Sequence, residues 1–245
     1  MNILVTGSYG QVGSELQILA KTYNKFSFVF VDKDDLDITD IIAVETFFSK
    51  HNFSYCINCA AYTAVDKAET DVKNARLVNV TGAKNLAITC SNNKVRLIHI
   101  STDYVYHNDQ NTPFKENDKT NPQGIYAKTK LEGDLASLEY NKETIVIRTS
   151  WVYSSFGNNF VKTMLRLGVE REKLSIIFDQ IGSPTYARDL GKAIMDIITL
   201  NPPKFNGVYH YSNEGVCSWY DFAKAIFELK GIECKTSAIE TSEYP

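Results

Sequence analysis

No stretch free of Asp, Glu, Lys and Arg exceeds the 15 residues from His51 to Val65, and that stretch contains Asn and Thr, so no segment reads as a membrane span. A surplus of positive charge is missing too. Twenty-six Lys and Arg face 29 Asp and Glu, a formal charge of −3, which argues against nucleic acid as a partner. Proline is scarce, six in 245 residues, and no repeat or low-complexity segment occurs; disorder, collagen and coiled coil are excluded. The N-terminus carries no basic, apolar leader, so the expected compartment is the cytoplasm. The five cysteines are odd in number and scattered, which argues against a disulfide framework. Cys56 and Cys59 form a CxxC, but inside the apolar run Tyr55 to Ala61, which reads as a buried strand and not as the helix N-terminus a reactive thiol needs. With no second CxxC, and no ligand spacing among His51, His99, His107 and His210, no metal site is expected.

What is present is alternation. Short apolar runs at Ile3 to Thr6, Phe28 to Val31, Tyr55 to Cys59, Val95 to Ser101 and Thr144 to Thr149 read as strands. Between them, Gln11 to Tyr23, Asp40 to Lys50, Lys73 to Asn93 and Tyr126 to Tyr140 read as amphipathic helices. Strand and helix in turn predict an α/β protein with a doubly wound parallel sheet, covered on both faces, whose ligand crevice lies beyond the carboxyl ends of the strands. After Trp151 the pattern loosens, with helices at Asn159 to Arg171, Asp189 to Leu200 and Trp219 to Lys230. The expectation is a nucleotide-binding domain over residues 1–150 and a smaller substrate lobe over 151–245.

The first strand runs into Gly7-Ser8-Tyr9-Gly10-Gln11-Val12-Gly13 and then a helix. Glycines at these positions allow a tight turn, close approach of the backbone to a pyrophosphate, and close packing of helix on strand. The helix N-terminus adds free N–H groups and a positive dipole end. The next strand ends at Asp32, where a carboxylate can bond the ribose 2′-OH of a dinucleotide. These features predict a Rossmann-type NAD(P) site with Gly7, Gly10, Gly13 and Asp32 in it. Asp32 favours NADH, while Lys33 beside it could hold the 2′-phosphate of NADPH; the sequence leaves both open.

Tyr126 and Lys130 stand at i and i+4, on one face of a helix. An ammonium beside a phenol stabilises phenolate, so the expectation is a Tyr126 with a lowered pKa that exchanges a proton with a carbinol oxygen. The spacing alone is not specific. Fourteen Tyr and 20 Lys in 245 positions predict about one such pair by chance, and there are two, the other being Tyr220 with Lys224. Position favours Tyr126, which follows the strand ending in Ser101-Thr102-Asp103 at the crevice. Thr102 would add a short hydroxyl there, or serve as a cap.

Taken together, Gly7-x-x-Gly10-x-x-Gly13, Asn58-Cys59-Ala60-Ala61, Asn79-Val80-Thr81-Gly82, Ser101-Thr102-Asp103-Tyr104-Val105-Tyr106 and Tyr126-x-x-x-Lys130 resemble the extended short-chain dehydrogenase/reductases. Within them, Ala61-Tyr62-Thr63-Ala64-Val65-Asp66, Arg148-Thr149-Ser150-Trp151-Val152-Tyr153, Gly157-Asn158-Asn159-Phe160 and Asp179-Gln180-Ile181-Gly182-Ser183-Pro184-Thr185 resemble the dTDP-4-dehydrorhamnose reductase family, from Met1 to nearly Pro245. The resemblance implies Tyr126 as proton donor, Lys130 as its partner and a cofactor-ribose contact, and Thr102 as a hydroxyl on the C4 carbonyl of a dTDP-sugar. It implies Gly10, Gln11 and Val12 on the cofactor pyrophosphate and Asp32 on the ribose. Asp37 and Ile38 would lie at the adenine end, and Ala61, Tyr62 and Thr63 along the nicotinamide half. Val65, Thr102, Asp103 and Trp151 would border the substrate. A homodimer is allowed.

Three departures stand out. Tyr62 occupies a position where the family often has His. Arg188 stands where some members carry a carboxylate, which argues against a metal-bridged dimer there. The family usually continues past Pro245 through a Pro- and Arg-containing segment and a helix. Two neighbouring readings share part of the pattern. Sugar-nucleotide 4-epimerases and dehydratases keep the Tyr and Lys but retain and recycle their nicotinamide. The regulatory subunit of methionine adenosyltransferase has the same fold and a similar Asp-Tyr-Val segment, but would lack the substrate-lobe residues Trp151, Asn158 and Asn159.

Overall fold

The computed structural model describes residues 1–108, 110–200 and 205–244. β1 (Asn2–Thr6), α1 (Gln11–Ala20), β2 (Ser27–Val31), α2 (Ile41–Ser49) and β3 (Tyr55–Asn58) come first. Two short helices, α3 (Val65–Ala68) and α4 (Val72–Arg76), then lead through a π-helical turn (Leu77–Gly82) into α5 (Ala83–Asn92). β4 (Arg96–Thr102), a 3-10 turn (Asp103–Val105), α6 (Ile125–Tyr140) and β5 (Ile145–Thr149) complete the first half. The second half holds β6 (Val152–Tyr153), α7 (Phe160–Glu170), β7 (Lys173–Ile177), β8 (Ile181–Gly182), β9 (Thr185–Tyr186), α8 (Ala187–Thr199), β10 (Gly207–His210), β11 (Cys217–Ser218), α9 (Trp219–Lys230) and β12 (Lys235–Ile239).

Six strands form one parallel sheet in the order β10-β5-β4-β3-β1-β2. Chain order reverses direction between β1 and β3, which opens the crevice at their carboxyl ends. All four residues of β3 are buried because both faces are covered, the pattern expected of a central parallel strand. One face packs on Leu16 of α1 and Leu190, Ile194, Met195 and Ile198 of α8. The opposite face packs on Val44 and Phe48 of α2 and Leu86, Ala87 and Cys90 of α5. A separate apolar cluster joins α7 and α9 to β7 through Met164, Ile176, Ala223, Ile226 and Phe227.

The expected division at residue 150 does not describe the packing. α8 and β10 return to the main sheet, where α8 lies against α1 and β10 pairs with β5. The apolar stripe of α8 buries Leu190, Ile194, Met195 and Ile198 against α1 and the main sheet. The helix expected over Lys73 to Asn93 is likewise wound as three pieces. Gly133 of α6 approaches so closely that a Cβ there would lie 2.2 Å from the Asn79 carbonyl oxygen. Asp40 and Asn159, read as helical, are instead N-caps whose side chains accept backbone N–H bonds of the first turn.

Candidate active site

The turn after β1 is built for close contact. Gly7 has φ +64°, and Gly13 sits where a Cβ would come within 2.4 Å of the Gly7 carbonyl oxygen, so it packs the helix onto the turn and does not face the groove. The N-cap of α1 is Gly10, which offers no side-chain cap, in contrast to α2, so the first N–H groups of α1 open onto the crevice. Gln11 spends its side chain elsewhere: Nε2 donates to the Val152 carbonyl (3.2 Å) and Oε1 accepts from Asn159 (2.9 Å). Asp32 caps the end of β2 and accepts from the Tyr9 and Lys33 amides at 3.0 and 2.8 Å. Asp37 is held below the usual carboxylate range by hydrogen bonds from the Thr39 hydroxyl and amide. Ile38 is buried, its side chain against Gly82 and its carbonyl held by Asn85.

These residues line a cavity of about 1090 Å³ that runs from the glycine turn, past Asp32, Asp37, Ile38, Ala61, Tyr62 and Thr63, to Thr102 and Lys130. A second cavity of about 1400 Å³ continues beyond Tyr106 and Arg148. Val65, Asp103, Tyr104, Tyr126, Thr149 and Trp151 line both. The fold therefore brings every expected site residue but Gly13 to the walls of these two spaces. Tyr220 and Lys224 line neither, and Tyr220 packs in the small-lobe cluster.

At the junction, Tyr126 lies beside Thr102, whose Oγ1 accepts from the Tyr104 amide (3.2 Å) and donates to Asp103 (3.3 Å). The Tyr104 ring meets the Tyr126 ring edge to face, with centroids 5.9 Å apart. Lys130 is 2% exposed and donates to the Ile100 carbonyl at 2.7 Å. The expected lowering of the phenol is reversed. Burial raises the Tyr126 pKa, the Thr102 hydrogen bond only partly offsets this, and Asp103 pushes it further up. Lys130 is itself desolvated, which brings it down to about 8. A phenol held protonated suits a proton donor. Cys59 is pushed up to about 12 by burial and Cys56 is fully buried, so neither thiol has the character of a redox group.

Burial also brings Asp103 up to about 6, against the opposing Thr102 hydrogen bond. Since the folded pKa lies above the ordinary 3.8, the folded state prefers the protonated form, and its carboxylate costs stability as pH rises through this window. Asp103→Asn is expected to raise the melting temperature at pH 7.5, with the gain disappearing by pH 4. Thermal melts across that range check it.

Trp219 was not foreseen. Its ring stacks on Trp151 with centroids 3.4 Å apart and planes at 11°, at the cofactor-cavity wall. Trp151 adopts φ +43°, and Gly182 sits against its ring with no room for a Cβ. Asn79, the first residue of the Asn79-Val80-Thr81-Gly82 motif, is buried; it accepts from the Tyr62 amide (2.8 Å) and donates to the Thr129 hydroxyl (3.1 Å). The π-helical turn carrying it leaves no period in the sequence by which its direction could be read. Tyr62 donates its phenol proton to Asp71 at 3.1 Å.

Arg188 binds Glu15, whose fully buried carboxylate accepts from Arg188 Nε (2.8 Å) and the Ser154 hydroxyl (2.7 Å). No group of three or more His, Cys, Asp or Glu able to hold a metal occurs among the described residues. Arg188→Met leaves that carboxylate buried beside one hydroxyl, so a fall of several degrees in Tm is expected, with Glu15→Gln in the same background restoring part of it. Differential scanning fluorimetry of both variants checks this.

A Rossmann-type sheet, an uncapped glycine turn at its switch point, and a Thr, Tyr and Lys set at the mouth of a second cavity define a nicotinamide-dependent oxidoreductase of the extended short-chain type. Residues 1–245 match the family described as RmlD substrate binding domain. The dTDP-4-dehydrorhamnose reductase of Escherichia coli strain K12 is 40% identical over 255 residues, covering 100% of this chain and 85% of that protein. Among solved structures, the dTDP-4-dehydrorhamnose reductase of Clostridium acetobutylicum superposes with a TM-score of 0.95 at 42% identity, covering 100% of this chain and 86% of that one. That of Bacillus anthracis, in complex with NADP, has a TM-score of 0.94 at 39% identity, covering 99% and 86%. The chain belongs to the dTDP-4-dehydrorhamnose reductase family.

No helix among the described residues is long and apolar enough to cross a membrane.

Proposed function

We propose that this protein uses NADPH to reduce the C4 ketone of dTDP-4-dehydro-L-rhamnose to dTDP-L-rhamnose. The observation that carries this reading is Tyr126 at the junction of the two cavities, lining both, with Thr102 and Lys130 beside it in the wall of the cofactor cavity. The residues present fit a dinucleotide: the uncapped first turn of α1 and the close glycine turn leave room for a pyrophosphate beside backbone N–H groups. NADPH is preferred over NADH because the Bacillus anthracis relative was solved with NADP and Lys33 lines the groove beside Asp32.

When bound, the nicotinamide supplies the hydride that reaches C4. Tyr126 gives its proton to the ketone oxygen as negative charge develops there. Thr102 offers its hydroxyl to the same oxygen. Lys130 sets a positive charge one helical turn away, which stabilises the phenol oxygen once its proton has left. Val65, Asp103 and Trp151 border the sugar, and Trp219 backs Trp151. The five free thiols suit a reducing cytoplasm.

The test is to mix the purified protein with NADPH and enzymatically prepared dTDP-4-dehydro-L-rhamnose and to follow loss of reduced-nicotinamide absorbance together with product. One dTDP-L-rhamnose per NADPH consumed is expected. Interconversion of sugars with no net NADPH loss, and a cofactor that stays bound through purification, would instead make it an epimerase.

A further inference from the structure

Tyr126, Lys130 and Asp134 fall at i, i+4 and i+8 of α6 and share one face. The first two line the cofactor cavity, whereas Asp134 lies beneath it, fully buried. Its Oδ2 accepts from Arg148 Nε at 3.1 Å, and its Oδ1 is 3.7 Å from His99 Nε2. His99 is not a charge here. The Asn58 amide oxygen is taken by the Thr6 hydroxyl and the Ala60 amide, so Asn58 Nδ2 donates to His99 Nδ1 (3.0 Å), which leaves the proton on Nε2, toward Asp134. Burial and the nearby Lys130 keep that imidazole neutral. One buried carboxylate thus pairs directly with Arg148 and stands one helical turn from Lys130, and only Lys130 of the two cations can lose its proton.

We propose that Asp134 is a positioning residue, placed one helical turn below Lys130 to hold it as an ammonium ion in a site too dry to keep it charged otherwise. The inference rests on the role given to Lys130 above. Desolvation is the largest influence on Lys130 and Asp134 the largest charge opposing it. The other groups around Lys130 cannot replace it: Cys59 at the end of β3 remains a thiol, His99 on β4 is neutral, Arg148 on β5 is a cation and Tyr126 remains a phenol. Burial pushes Asp134 itself up, while Lys130 and the touching Arg148 pull it back toward the carboxylate. Without that carboxylate the amine loses its proton at a lower pH, and a neutral amine cannot balance the phenol oxygen left when Tyr126 gives up its own.

The test is a titration of the Lys130 side chain by NMR in protein with ¹³Cε-labelled lysine, the resonance assigned by its loss in Lys130→Met. The wild-type midpoint is expected at about 8. Asp134→Asn should lower it by about one unit or more, and Asp134→Glu should hold it near wild type. Because Asp134→Asn strands the Arg148 charge and could unfold the chain, Asp134→Asn combined with Arg148→Met removes both partners, and the same lowered midpoint is expected. In the pH profile of NADPH-dependent reduction, the alkaline limb should move by the same amount. A Lys130 midpoint unmoved in both variants, with activity reduced evenly at every pH, would make Asp134 a structural residue and overturn the proposal. Absence of turnover by the wild type would count against the reductase reading alone, and the NMR titration would still decide the role of Asp134.

Discussion

Replacing Tyr126 by Phe should lower kcat about 10²- to 10⁴-fold while leaving the Kd for NADPH within a few-fold of wild type. The variant deletes one oxygen and little else. Thr102 keeps its bonds to the Tyr104 amide and to Asp103, and the edge-to-face contact with the Tyr104 ring needs only the ring. What is lost is the phenol hydroxyl beside Thr102 and Lys130 in the wall that the two cavities share. Because burial keeps this phenol protonated, its role is donation, and water entering through the second cavity is the remaining source of the proton in the variant. Steady-state rates with saturating substrate, beside cofactor titration by fluorescence, separate a lost acid from a lost site. A rate within threefold of wild type would remove Tyr126 from the mechanism.

Gly7→Ala should destabilise the protein by about 3 kcal/mol, lower Tm by about 6–12 °C and abolish tight cofactor binding. Two costs coincide at this position. Its φ of +64° lies in the left-handed region that a side chain resists. The added Cβ would also lie 2.5 Å from the Ala60 nitrogen and 2.7 Å from the carbonyl carbon of Cys59, backbone atoms that cannot rotate away. The chain can relieve this only by parting β1 from the segment after β3. That segment carries Ala61, Tyr62 and Thr63, so strain at one wall of the cofactor cavity reaches the other. Gly10→Ala is the milder comparison, since its Cβ would meet only the Gly7 carbonyl oxygen, at 3.2 Å. Melting curves and NADPH titrations of the two variants side by side check the ranking.

Much of this was legible because local sequence and global packing agree. The strand of residues 55–58 is buried throughout because both faces are covered, and the glycine turn declares itself by three Gly at fixed spacing after a strand. Tyr126 could be chosen over Tyr220 from chain order alone, since parallel strands deliver their carboxyl ends to one crevice. Other features were hidden for physical reasons. The return of α8 to the main sheet depends on where the face of Leu190, Ile194, Met195 and Ile198 finds a partner, which no single amphipathic segment specifies. The Trp151 and Trp219 stack joins a strand end to the start of a distant helix. The phenol shift is opposite to the expectation because helix spacing places Lys130 near but does not show how dry the site is, and here desolvation raises the phenol, with Asp103 adding to it. Arg188, by contrast, was singled out from sequence, and its partner Glu15 gives the position a structural reason.

The most direct test of the central claim is to run the reaction with NADPH carrying deuterium at the transferable position of its nicotinamide and to examine the product by NMR. Deuterium at C4 of the dTDP-L-rhamnose, and at no other sugar carbon, is the predicted result. Protium at C4, or deuterium that remains with the cofactor while the sugar is interconverted, would contradict the account.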